Sequence, residues 1–210
     1  MAKATLLVLD EHHPAPRKIA QAAQAIMRGE IVAYPTDTVY ALGCHVAEKK
    51  ALDRLCRIKD VRDDQLFAFI CPDISTIAKY TVVDDFAHRW LRRLLPGPYT
   101  IILPASRQVP KLLTEKRREI GVRIPDNRVC QDLVDAVGGP IVTTSATDPQ
   151  TNETLIDPEL VRDRLGQHIA LVLDAGLLTH ERSTVLRIED DRIEVLREGK
   201  GPTDHLPLAD

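Results

Sequence analysis

Ile31-Val-Ala-Tyr-Pro-Thr-Asp-Thr-Val-Tyr-Ala-Leu-Gly-Cys44 is an apolar run that breaks at Pro35 into a dense set of hydroxyls. Ile31–Tyr34 reads as a short buried strand, and the hydroxyl-rich residues after Pro35 are too polar for a plain core strand. If the chain stays extended, Thr36, Thr38 and Tyr40 project to one face by the two-residue alternation of a strand. They would then offer small donors and acceptors to an amino-acid or carboxyl group. Threonines along an edge strand account for the same pattern equally well.

On either side of this stretch, apolar runs of strand length alternate with segments whose apolar residues recur at helical spacing. Strands are expected at Thr5–Leu9, Ile31–Tyr34, Phe67–Cys71, Thr100–Leu103, Ile120–Ile124, Ile141–Thr144, Ala170–Leu173, Thr184–Ile188 and Ile193–Leu196. The last two read as a hairpin turning at Asp190-Asp191. Helical spacing covers Pro16–Met27, Glu48–Ile58, Asp84–Leu95, Arg128–Val137 and Asp157–Leu165. Interleaved elements, many short strands and a closing hairpin together predict an α/β fold with a mixed sheet and flanking helices. Nothing marks a boundary within the 210 residues, so 1–210 reads as one domain.

Composition narrows the function. The chain is 44% hydrophobic and 28% charged, as expected of a packed globular protein. The apolar run Leu6–Leu9 is too short for a secretory leader, and no stretch reaches membrane-spanning length, which predicts a cytoplasmic protein. Cys44, Cys56, Cys71 and Cys130 are widely spaced with no C-x-x-C pair, so neither a disulfide framework nor a zinc site is expected. A net charge of −3 excludes a uniformly basic nucleic-acid coat, and any RNA surface must be local. The candidate is Lys116, Arg117 and Arg118 within Lys111–Arg123, with Arg89, Arg92 and Arg93 nearby in type; a solvated charged face is the plain alternative. Neither G-x-x-x-x-G-K-[ST], G-x-G-x-x-G, H-E-x-x-H nor G-x-S-x-G occurs. P-loop, metalloprotease and serine-hydrolase chemistries are therefore not expected.

Four further segments carry polar chemistry. Arg57-Ile-Lys-Asp-Val-Arg62 closes a predicted helix with cations, which suits either an anion site or the helix dipole. Pro140-Ile-Val-Thr-Thr-Ser-Ala-Thr147 ends an apolar strand in successive hydroxyls, at the strand end where open α/β sheets bind ligands. Ser183-Thr-Val-Leu and Leu196-Arg-Glu-Gly199 add one more hydroxyl group and one more cation.

Taken in order, YPTDTVYALGC, RIKDVR, PGPYTIIL, IGVRIPDN, VTTSAT, STVLRI and LREG resemble the YrdC-like family, best known for threonylcarbamoyl-adenylate synthases. YALGC, PGPYTIIL and LREG are most similar to its YciO branch. The resemblance implies a twisted open sheet around a large concave pocket. It implies that ATP, L-threonine and bicarbonate become threonylcarbamoyl-AMP and pyrophosphate, for later transfer to adenosine in tRNA. Magnesium would bridge the phosphates, no metal ligands are assigned to the protein itself, and tRNA or other RNA and tRNA-modification proteins would be partners.

Carried onto this sequence, Thr36, Tyr40, Arg123 and Ser183 would hold threonine and its carbamate, Arg123 offering a planar fork to a carboxylate. Lys59, Thr143, Ser145 and Arg197 would contact the nucleotide, with Lys59 and Arg62 as the catalytic cations. Three elements depart from the family. Its K-x-R reads Lys59-Asp60-Val61, with Arg62 one position late; its S-T-S-A-N reads Thr143-Thr144-Ser145-Ala146-Thr147; and Glu198 replaces the proline of R-P-G. Such changes leave open a YciO-like protein that binds RNA or a nucleotide with weak synthesis or none.

Overall fold

In a computed structural model, residues 3–59, 67–114 and 118–207 are described. Among them ten strands occur: β1 (Thr5–Val8), β2 (Val32–Tyr34), β3 (Ala41–His45), β4 (Ala68–Ile70), β5 (Tyr99–Pro104), β6 (Glu119–Arg123), β7 (Ile141–Ser145), β8 (Leu171–Asp174), β9 (Thr184–Glu189) and β10 (Arg192–Arg197). Six helices join them: α1 (Pro16–Met27), α2 (Lys49–Ile58), α3 (Ile74–Tyr80), α4 (Asp85–Leu94), α5 (Arg128–Val137) and α6 (Pro158–Leu165). All ten strands form one open sheet ordered β1-β8-β2-β3-β7-β4-β6-β5-β9-β10. The pairs β1–β8, β2–β8, β4–β6 and β5–β9 are parallel and the remaining neighbours antiparallel, the mixed α/β sheet that the sequence implies.

Strand alternation sorts the core into two layers. Val32, Tyr34, Ile70, Ile141, Leu171 and Leu173 pack on the side of α1 and α5, with Ile19, Ile26, Leu133 and Val134. Ala33, Leu42, Phe69, Val142 and Val172 face the opposite side, with Leu52 and Leu55 of α2, Leu91 of α4 and Leu165 of α6. Burying one such aliphatic side chain stabilises the fold by about 1.5–3 kcal/mol. Helix starts follow local chemistry: the side chains of Asp73, Asp84, Asn127 and Asp157 accept from backbone N–H groups in the first turns of α3, α4, α5 and α6. The closing hairpin turns where Asp190 and Asp191 both adopt positive φ, 51° and 57°, the geometry whose twist matches antiparallel strands.

Two elements were not expected. β3 lies within the decisive stretch and pairs back antiparallel on β2, Tyr34 opposite Ala41, so residues 35–40 are the connection of a hairpin. β3 is covered on both faces, which removes the alternation that betrays a strand. α3 is a short helix rich in β-branched residues, held by the Asp73 cap and by buried Thr76 and Ile77.

Gly43 of β3 allows the closest packing in this region. A Cβ there would lie 2.6 Å from Ile141 Cγ2 and 2.7 Å from the Tyr34 ring. With that space open, Tyr34 lies fully buried and donates its hydroxyl to Thr143 Oγ1 at 2.8 Å. Gly43→Ala is expected to lower the unfolding free energy by about 1–3 kcal/mol, the cost of overpacking a dense core, read as a lower urea midpoint at unchanged slope.

Candidate functional site

A cavity of about 330 Å³ opens over the part of the sheet that runs from β3 to β10. It is hollow because the strands place Ala41, Ala68 and Gly121 along its wall. At Gly121 even a methyl group would come within 3.0 Å of Thr100 Cγ2 and 3.1 Å of Ala68 Cβ. The cavity is also lined by Lys59 at the end of α2, by Arg123 of β6, by Thr143, Thr144 and Ser145 of β7, and by Arg182, Ser183 and Arg197. Six residues singled out in the sequence thus share one void: Lys59, Arg123, Thr143, Ser145, Ser183 and Arg197.

The wall is basic. Lys59 Nζ donates to the Ser145 carbonyl at 3.2 Å and to Thr147 Oγ1 at 2.9 Å. Burial, helped by the nearby Arg182 charge, lowers its pKa to about 8. Arg197 donates from Nε and Nη2 to the Ser183 carbonyl at 3.2 and 2.9 Å, and from Nη2 to Ser183 Oγ at 3.3 Å. Burial first, then repulsion from Arg182 and Arg123, depresses its pKa as well. Ser183 Oγ shares a 2.8 Å hydrogen bond with Thr100 Oγ1.

Arg123 is balanced. Its Nη2 donates to Asp37 Oδ1 at 2.7 Å and to Thr38 Oγ1 at 3.2 Å, and both side chains of the ion pair are less than a tenth exposed. Asp37 Oδ2 also accepts from the Asp126 N–H at 3.1 Å. Arg123 Nε is buried without a partner among the described residues, which leaves a donor that a bound group would satisfy.

Thr36 and Tyr40 do not reach this cavity. Residues 35–40 are not a strand, so the expected projection of Thr36, Thr38 and Tyr40 onto one face does not arise. Thr36 Oγ1 donates to the Val39 carbonyl at 2.7 Å and accepts from the Thr38 N–H at 3.1 Å, with Thr38 Oγ1 3.0 Å away. Its hydroxyl is occupied inside the connection, and Thr36 lines a separate depression with Asp37, Thr38, Asp126 and Lys200. Tyr40 is fully buried, donates to the Gly176 carbonyl at 2.8 Å and accepts from the Ala175 N–H at 3.2 Å. Both residues therefore shape the loop rather than the lining. Arg62, Lys116 and Arg117 lie outside the described residues, and Arg118 is exposed.

The sequence reading missed Arg182, Thr100 and Asn152 in the lining. Arg182 stands directly before the Ser183 motif, and its adjacency to that hydroxyl was the available signal. Removing the acid of the buried pair by Asp37→Ala is expected to cost about 3–5 kcal/mol in chemical unfolding, because it strands a desolvated guanidinium. Asp37→Asn, which keeps an oxygen acceptor, should lose less.

Comparison with known proteins assigns the family and the fold. Residues 24–199 match the Sua5/YciO/YrdC family model, described as "Telomere recombination". The uncharacterized protein YciO of Escherichia coli K12 is 40% identical over 190 residues, covering 90% of this chain and 92% of that protein. Its crystal structure superposes with a TM-score of 0.90 over 95% of this chain and 97% of that one. A threonylcarbamoyl-AMP synthase of Vibrio vulnificus is 33% identical over 186 residues, 86% of this chain and 98% of that enzyme. P. abyssi Sua5, solved in complex with L-threonine, is 26% identical with a TM-score of 0.85 over 93% of this chain and 58% of that one. By sequence over most of its length and by fold, the chain belongs to the Sua5/YciO/YrdC family.

Proposed function

We propose that the chain is a nucleotide-binding enzyme of the threonylcarbamoyl-AMP synthase type, acting in the cytoplasm on ATP, L-threonine and bicarbonate. The observation that carries this reading is the convergence of Lys59, Arg123, Thr143, Ser145, Ser183 and Arg197 on one basic cavity. In the proposed reaction the threonine amine attacks bicarbonate carbon and water leaves, giving a carbamate. A carbamate oxygen then attacks the α-phosphorus of ATP, and pyrophosphate departs. Transfer of the product to tRNA, with tRNA-modification proteins as partners, completes the proposed role.

Each side chain has a part set by its hydrogen bonds. The unsatisfied Nε of Arg123 suits the threonine carboxylate or carbamate, with Ser183 beside it. Lys59 and Arg197 suit phosphate oxygens, where a preformed positive field stabilises the charge that develops on the departing group. Ser145 is proposed to contact the nucleotide beside them. Thr143 Oγ1 donates to the Leu42 carbonyl at 3.2 Å and accepts from Tyr34, so it offers a ligand one lone pair and no proton. That fits a nucleoside hydroxyl or amine better than a phosphate. Arg62 is proposed to assist Lys59. Magnesium is proposed to arrive on the nucleotide's phosphates. Among the described residues the lining has no carboxylate and no group of three or more His, Cys, Asp or Glu gathers, so they do not fit a protein-held ion.

A second reading is a YciO-like protein that binds RNA or a nucleotide and makes little adenylate. It is favoured by the 40% identity to YciO and by Thr147, whose hydroxyl is occupied by Lys59 where the family element carries asparagine. Arg89, Arg92 and Arg93 on α4 and Arg118 are exposed and offer the basic surface such binding needs.

Pyrophosphate release should require ATP, threonine and bicarbonate together; release that ignores threonine, or none at all, counts against synthesis. Lys59→Met should lower turnover about a hundredfold to a thousandfold, as loss of one preorganised charge contact does. Because Lys59 is charged below its pKa of about 8 and neutral above it, ATP binding should weaken as pH rises through that value, and the Met variant should lose this dependence. Neutralising Lys116, Arg117 and Arg118 together should weaken RNA binding and flatten its salt dependence; unchanged affinity removes that patch from the second reading.

A further inference from the structure

Three cations meet the cavity wall with no acidic partner among the described residues. Lys59 is held by the Ser145 carbonyl and Thr147 Oγ1, Arg197 by the Ser183 carbonyl, and Arg182 by its Nε donating to Thr154 Oγ1 at 2.6 Å. Every one of these anchors is a neutral acceptor. It holds the cationic group in place and leaves its charge uncancelled, whereas Arg123 is balanced by Asp37. Nη1 and Nη2 of Arg182 have no partner among the described residues, so the fork is oriented by its base and open at its tip.

The backbone ties these cations into one wall. The Arg182 carbonyl accepts from the Lys200 N–H at 2.9 Å, and the next residue, Ser183, carries the carbonyl that holds Arg197. The Arg197 guanidinium is therefore anchored on the residue next to Arg182, and the Arg182 charge adds to burial in lowering the Lys59 pKa. Three partly desolvated like charges repel one another, and an anion that spans all three relieves more of that repulsion than one that meets only two.

We propose that Arg182 is a specificity-determining residue, completing with Lys59 and Arg197 a three-cation cradle that selects a polyphosphate chain over a monophosphate or a lone carboxylate. This rests on the reading that the cavity takes a nucleotide, and it names the residue that counts the phosphates.

The test is calorimetric titration of the whole chain with inorganic tripolyphosphate, inorganic phosphate, ATP and AMP, for the wild type, Arg182→Gln and Arg182→Lys. The wild type should bind tripolyphosphate at least about tenfold more tightly than phosphate, and Arg182→Gln should lose about tenfold for tripolyphosphate and ATP, as expected for one charged hydrogen-bonding group. Phosphate and AMP should change by less than about twofold, since Lys59 and Arg197 still hold them. Arg182→Lys should recover part of the loss. In Arg182→Gln the alkaline weakening of tripolyphosphate binding should move to higher pH, because Lys59 loses the neighbour that repels its proton. Equal losses for phosphate and tripolyphosphate, or no loss for either, would overturn the assignment. Should Arg182→Gln not fold, Thr154→Val keeps the charge and removes its anchor; unchanged tripolyphosphate affinity in that variant also overturns it. None of these readouts needs threonine, bicarbonate or turnover. Tripolyphosphate binding that depends on Arg182 without ATP binding would sink the nucleotide reading and leave this inference standing.

Discussion

The buried ion pair between Arg123 and Asp37 is the constraint on which the rest of the site depends. Two opposite charges taken out of water are costly unless they are in contact and further hydrogen-bonded. Asp37 meets that condition by bonding Arg123 and the Asp126 N–H together, while Lys200 donates to the Asp37 carbonyl at 2.6 Å. The connection between β2 and β3 is thereby fastened to β6 and to the chain beyond β10. Thr36, Thr38 and Val39 close the turn internally by hydrogen bonds among themselves. The pair also settles the charge of the hollow, because it neutralises the guanidinium on β6 and leaves the positive excess to Lys59, Arg182 and Arg197.

That excess is unfavourable by itself. Each of the three cations is partly withdrawn from water and faces like charge, and a neutral hydrogen bond to a carbonyl or hydroxyl recovers only part of what solvation loses. A basic wall held by the fold is a preformed positive field, and such a field needs no reorganisation when negative charge develops beside it. The small residues Ala41, Ala68 and Gly121 serve the same end, since larger side chains would fill the hollow.

The departures in sequence acquire meaning from this geometry. Thr147 does not sit free in the cavity: its hydroxyl is the acceptor that holds Lys59. The family's cation is absent at Val61, while Arg182, far away in the chain, lines the same cavity as Lys59. A motif read along the sequence registers a loss at one position, while the field inside a cavity depends on how many charges reach it and not on which strand delivers them.

Nearest-neighbour chemistry made much of this protein legible. Apolar periodicity marked nine strands and five helices, and Asp190-Asp191 marked the last turn, because each depends on groups within a few residues of one another. The hydroxyls and cations that resemble a known family could be read the same way, and six of them do share one cavity. What the chain could not declare locally was β3, whose two covered faces erase any alternation, and the engagement of the Thr36 and Tyr40 hydroxyls by backbone groups. Nor could it declare that Asp37 would meet Arg123 across 86 positions, or that Arg182 would face Lys59. Those outcomes belong to the tertiary structure, because sheet order alone sets which distant groups share a small, poorly solvated space, and only in such a space does a charge or a hydroxyl acquire its partner.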